Sequence, residues 1–164
     1  MAGILGTRPQ ASGKVAQMAA PAAASPFAFI AGHPWAYPAL ETAHLFGVAL
    51  LVGNLLALEL RVWGRASALP IAALARLSLS LALIGFGCAA TTGLLMFASQ
   101  PGDLIANRVF VVKMGLVACA GVNAALFHAR RGLQRLDGWA RAQTALSLGL
   151  WIAVMICGRW IAYS

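Results

Sequence analysis

Four apolar runs, each long enough to cross a bilayer and joined by short connections, constrain this chain more than any other feature. A helical span needs about 20 mostly apolar residues, and residues 38–60, 77–99, 106–128 and 142–162 meet that length. The second run is the cleanest, with no charge between Arg76 and Asp103. In the third, Lys113 is the one charge between Val109 and Phe127, and in the fourth Arg159 stands near the end. Only 10% of the 164 residues are charged, against about 25% in soluble domains. The fold class expected is therefore all-α, a transmembrane four-helix bundle. Short connections favour antiparallel neighbours in up-down order and leave no room for a soluble domain.

The domain division expected is an arm at 1–34 followed by the four-span domain at 35–164. The arm is rich in Ala and Pro, with "AAPAAASP" at residues 19–26. No apolar h-region precedes that stretch, so it reads as a retained, partly flexible segment and not a cleaved leader. Phe27, Phe29, Trp35 and Tyr37 then supply aromatic anchoring at the interface.

The formal net charge is +8, but its placement argues against nucleic acid. The arginines sit in short clusters between apolar runs, where topology determinants lie. Arg61, Arg65 and Arg76 flank the first connection, and Arg130, Arg131, Arg135 and Arg141 the third. The second has only Arg108 against Asp103. The positive-inside rule then puts the first and third connections in the cytoplasm and both termini outside, which in a bacterium means an inner-membrane protein with a periplasmic N-terminus.

Cys88, Cys119 and Cys157 all fall in apolar runs without a C-x-x-C pair. They read as small packing residues and not as a disulfide or zinc framework. Small residues also recur four apart: Gly85, Ala89 and Gly93 on the second helix, Gly121 and Ala125 on the third, Gly149 and Ala153 on the fourth. Such faces let helices approach closely in lipid.

Ionisable residues inside spans are costly and mark function by default. Glu41 and His44, three apart, share a helical face that continues through Val48, Leu51 and Leu55 to Glu59. With this topology Glu41, His44, Lys113 and Arg159 all fall in the outer half. Several assignments remain open. Glu41 and Lys113 either neutralise each other or belong to a ligand pocket. His44 makes a structural hydrogen bond or ligates a cofactor. Glu59 is expected to pair with nearby arginines, His33 to lie in the interface, and His128 to be a solvated helix end beside Arg130 and Arg131. Trp63, Trp151 and Trp160 read as interface or packing aromatics.

A bis-histidine haem is excluded by depth. At about 1.5 Å rise per residue, His44 and His128 differ in height by roughly 25 Å. A haem at the outer side needs His44 with another ligand, for which His33, Met96, Met114 and Met155 are candidates. Those three membrane methionines, Cys157 and His44 also form a soft donor set of the kind Cu(I) prefers. No nucleophile elbow, Walker loop, H-E-x-x-H or dinucleotide fingerprint occurs, and the expectation is a chain without independent catalytic activity.

The stretch "WAYPALETAHLFGVALLVGNLLALELRVWG" carries an aromatic-Tyr-Pro lead, Glu-x-x-His, a glycine-containing apolar run and an acidic residue before Leu-Arg and Gly. In this it resembles a family of small bacterial four-span integral membrane proteins of unknown function. Tyr37, Pro38, Glu41, His44, Gly47, Leu60, Arg61 and Gly64 match the family pattern, Glu59 stands where Asp is expected, and Lys113 fits. More loosely, the layout is similar to four-helix b-type cytochromes and to copper-resistance D-type membrane proteins. Taken together, the expectation is a redox-associated membrane module with an outer-half polar pocket for haem b or quinone. Its candidate site residues are His44, Glu41, Lys113, Arg159 and Met96, with His44 as the metal ligand. The alternatives are an accessory or scaffold subunit packed against other membrane subunits or its own copies, and a copper-handling protein.

Overall fold

The structure is a computed structural model that describes residues 27, 30, 33–65 and 67–163. Most of the expected arm, Phe29 included, lies outside the described residues. All regular structure among the described residues is helical: α1 (Ala36–Val62), α2 (Ile71–Ser99), the short α3 (Pro101–Ala106), α4 (Arg108–Ala129), the single turn α5 (Gly132–Arg135), α6 (Gly138–Trp160), and a closing 3-10 turn, Ile161–Tyr163. α1, α2, α4 and α6 are the four helices long and apolar enough to cross a membrane. They coincide with the runs read from the sequence. α2 is longer than its apolar run, starting at Ile71 directly after Pro70 and so carrying Arg76 within the helix.

Local chemistry sets the ends. Pro38 falls in the first turn of α1 and Pro101 opens α3, where a missing N–H costs nothing. α1 closes with a Schellman motif: Arg65 N donates to Leu60 O at 2.9 Å and Gly64 N to Arg61 O at 3.1 Å, with Gly64 at φ +85°. The Asn107 side chain caps α4 by accepting from Val109 N at 2.9 Å. Asp137 caps α6 by accepting from Ala140 N at 2.8 Å.

The tightest seams are α1 against α2 and α4 against α6, and α1 joins the two pairs by packing on α6. At the α1/α2 seam the backbones nearly touch. A Cβ on Gly47 would lie 2.7 Å from Ala89 N and 2.8 Å from Gly85 O, and one on Gly85 would lie 2.7 Å from Gly47 O. The stripe on α2 is thus matched by Gly47 on α1, and the Cys88 thiol reaches Ala43 O at 3.4 Å across the same seam. Hydrophobic burial does not drive association between helices in lipid, so this close contact carries the pairing. The stripes on α4 and α6 behave differently. Gly121, Ala125 and Gly149 are exposed, and a Cβ at Gly121 or Gly149 would meet nothing within 4 Å. Ala153, the second member of the α6 stripe, is partly buried.

At the other end Val62, Phe127 and Ala140 form a buried cluster with Trp63, Leu133 and Leu136 against it. The Phe127 ring covers Gly132, where a Cβ has no room. Beside this cluster polar groups tie three helices together: Trp63 Nε1 donates to Thr144 Oγ1 at 2.9 Å, and Asn123 Nδ2 to Gln143 O at 3.0 Å.

Candidate functional site

His44 leaves the α1/α2 seam one turn above Gly47. Its ring lies over Gly93, where an added Cβ would sit 3.2 Å from Cε1. Gly93 therefore makes room for the imidazole. Nδ1 lies 2.8 Å from Ala89 O and 3.2 Å from Thr92 Oγ1. These contacts assign the tautomer. A carbonyl oxygen only accepts, and the Thr92 hydroxyl spends its proton on Cys88 O at 2.7 Å. Nδ1 therefore carries the hydrogen, and in the neutral ring Nε2 presents a bare lone pair. Fixing one ring nitrogen on a backbone carbonyl is how proteins orient a histidine whose other nitrogen ligates a metal or accepts a proton.

Lys113 on α4 is partly buried, with Nζ 3.4 Å from the position a Cβ would take on Gly158 of α6. Its charge also acts on His44, as does that of Glu41. Cys157 is within electrostatic reach of Lys113. Lys113 of α4 thus stands within electrostatic reach of both His44 of α1 and Cys157 of α6. Phe97 and Phe110 stack at 5.6 Å between α2 and α4 near the same end.

The other predicted residues sit less centrally. Glu41 is exposed. It forms no ion pair with Lys113, since Arg130 with Asp137 at 4.0 Å is the one ion pair among the described residues. Arg159 is exposed and occupied with Tyr163, donating to its hydroxyl at 2.6 Å and lying over its ring. Met96 is partly buried on α2, one turn beyond Thr92, while Met114 and Met155 are exposed. No group of three or more His, Cys, Asp or Glu side chains clusters as a metal site among the described residues. His33 is exposed and its Nδ1 accepts from Trp35 N. His128 is exposed with Nδ1 near Ala124 O, at the end of α4. Two surface hollows, of about 570 and 270 Å³, are lined by Pro70–Ser80 side chains and by Ile156, Arg159, Trp160 and Tyr163 respectively, not by His44.

Sequence reasoning missed Thr92 and the Ala89 carbonyl. The signal available was the Thr in the register of the Gly85, Ala89, Gly93 stripe. It also misplaced Glu59. That carboxyl is 3% exposed and has no arginine within ion-pair distance among the described residues. Arg61, the nearest in sequence, turns its Nε to Leu69 O at 2.8 Å. The connection before α2 thus holds that arginine, while Glu59 is buried beside α6.

Comparison with family models, with curated proteins and with solved structures finds no match to this chain. The functional reading therefore stands on the geometry of the site.

Proposed function

We propose that the chain is a redox-associated membrane module whose outer-end site, centred on His44, binds haem b or a quinone. The observation that carries this reading is the orientation of His44, with Nδ1–H held by Ala89 O and Thr92 Oγ1 and Nε2 left as the donor atom. An imidazole so held suits axial ligation of iron. It equally suits accepting a hydrogen from a quinol hydroxyl, with the Lys113 ammonium donating to the opposite oxygen. Met96 on α2 would be the second residue to hold a haem iron. Glu41, exposed at the rim, would exchange protons with the aqueous side. Arg159 would join only by leaving Tyr163. We place the protein in the bacterial inner membrane with both termini periplasmic, on the strength of the arginine-rich first and third connections.

The test is a dithionite-reduced minus air-oxidised absorption spectrum of the detergent-purified, haem-supplied protein, with quinone extraction from the same sample. Sharp haem bands or bound quinone lost in His44→Ala support the reading. A flat spectrum and no quinone in a folded preparation sink it.

A second reading, an accessory subunit of a larger membrane complex or a homo-oligomer, is favoured by one observation. Among the described residues nothing packs on the small-residue faces at Gly121 and Ala125 of α4 and Gly149 of α6. A copper-handling role has weaker support, because Met114 and Met155 are exposed.

A further inference from the structure

Glu59 lies at the other end of α1, about 22 Å from His44 at about 1.5 Å per residue. It is 97% removed from contact with its surroundings outside the chain, being 3% exposed, and its Oε2 has no hydrogen-bond partner. The Ser147 hydroxyl of α6 lies close enough to act on the carboxyl. One turn away on the same face of α6, Gln143 is 7% exposed and its Oε1 also lacks a partner. Two buried acceptor oxygens thus stand on the α1/α6 side of the bundle without a hydrogen to receive.

The charged and titratable groups of the surrounding elements do not compensate. Arg61 of α1 is turned to Leu69 O. Arg76 of α2, His128 of α4 and Arg141 of α6 are exposed, and Arg130 pairs with Asp137. None lies within ion-pair distance of Glu59. A bare carboxylate in such a place is strongly disfavoured unless a positive charge joins it. The oxygens present (the carboxyl, Ser147 and Gln143) are too few to replace the hydration shell of a metal cation, whereas a proton needs only one.

We propose that Glu59 is a proton-binding site, a carboxyl that takes up and releases one proton inside the bundle at the end bearing the arginine-rich connections. The proton resides on a carboxyl oxygen and removes the uncompensated charge beside the unpartnered Oε2. Its release leaves a carboxylate with no ion-pair partner among the described residues, so deprotonation favours water entry or separation of α1 from α6. Glu59 lies in the last turn of α1, which keeps the path to the aqueous side short. The site is independent of the His44 reading.

Dicyclohexylcarbodiimide tests this, because the acid form delivers its proton to a carbodiimide nitrogen as the carboxyl oxygen adds to the central carbon. An ordinary glutamic acid is protonated to only about 0.2% at pH 7. In the purified full chain Glu59 is expected to gain the adduct at least about 50-fold faster than exposed Glu41 of the same helix, read by peptide mass spectrometry. Infrared spectroscopy covers the case in which the reagent cannot enter. The chain has four Asp and Glu residues, and Glu41, Asp103 and Asp137 are exposed. A carboxylic-acid carbonyl band present at pH 7 in the wild type and absent in Glu59→Gln therefore has Glu59 as its source. Fast labelling or that band supports the proposal. Labelling no faster than at Glu41, with no acid band at pH 7, overturns it.

Discussion

Gly47→Ala adds one methyl group where the structure has no room for it. The new Cβ would stand 2.7 Å from Ala89 N, 2.8 Å from Gly85 O and 3.2 Å from Ala89 Cα. All three are backbone atoms, so no rotamer change relieves the overlap and α1 must move away from α2 by roughly 1 Å to restore van der Waals contact. Overpacking of this kind costs about 1–3 kcal/mol, or roughly a 5- to 150-fold change in the folding equilibrium, since 1.4 kcal/mol is tenfold. Gly53→Ala is the control on the same helix, because a Cβ there meets nothing within 4 Å. Exchanging an open helical glycine for alanine stabilises by about 0.5–1 kcal/mol. That gain is common to both sites, so the two variants should differ by the overpacking cost, about 1–3 kcal/mol, with Gly47→Ala the weaker. The assay is denaturant titration in detergent micelles followed by circular dichroism and by retention on size-exclusion chromatography. Movement of α1 should also loosen the 2.8 Å contact of His44 Nδ1 with Ala89 O, so the His44 resonances should shift in Gly47→Ala but not in Gly53→Ala. Equal stability of the two variants would refute the argument that backbone contact at Gly47 holds the first helix pair together.

Three further outcomes are expected. Nitrogen-15 spectra of the histidines should show His44 with its hydrogen on Nδ1 and Nε2 bare, and Thr92→Val should weaken folding by about 0.5–1.5 kcal/mol through loss of one acceptor; a hydrogen on Nε2 in the neutral ring would undo the tautomer assignment and the role built on it. In a variant without native cysteines, single cysteines at Ser67 and at Gly102 should label from opposite faces of the cell membrane with an impermeant thiol reagent, Gly102 from outside; labelling from one face, or from the reverse faces, would reject the orientation read from the arginines.

The four spans were legible in the sequence because length and apolarity suffice to define a helix that crosses lipid, and Arg76, Asp103 and Asp137 bracket the runs. So was the small-residue stripe of α2, and so was the presence of ionisable groups at both ends of α1. Which face of each helix meets protein was not legible. Lipid chains are as apolar as a neighbouring leucine, so hydropathy does not separate the lipid-facing side from the packed side. Three helices carried small residues at four-residue spacing, and only the tertiary structure decided that Gly85 and Ala89 meet Gly47 while Gly121 and Gly149 meet nothing among the described residues. The same holds for the polar groups. Sequence spacing put Glu41 beside His44, but the partner of His44 is a carbonyl 45 residues away. Proximity in sequence suggested arginine for Glu59, yet its contact is Ser147 on the last long helix. The amino acids alone determine that charges must be settled inside a membrane, and the packing of α1 between α2 and α6 decides which atoms settle them.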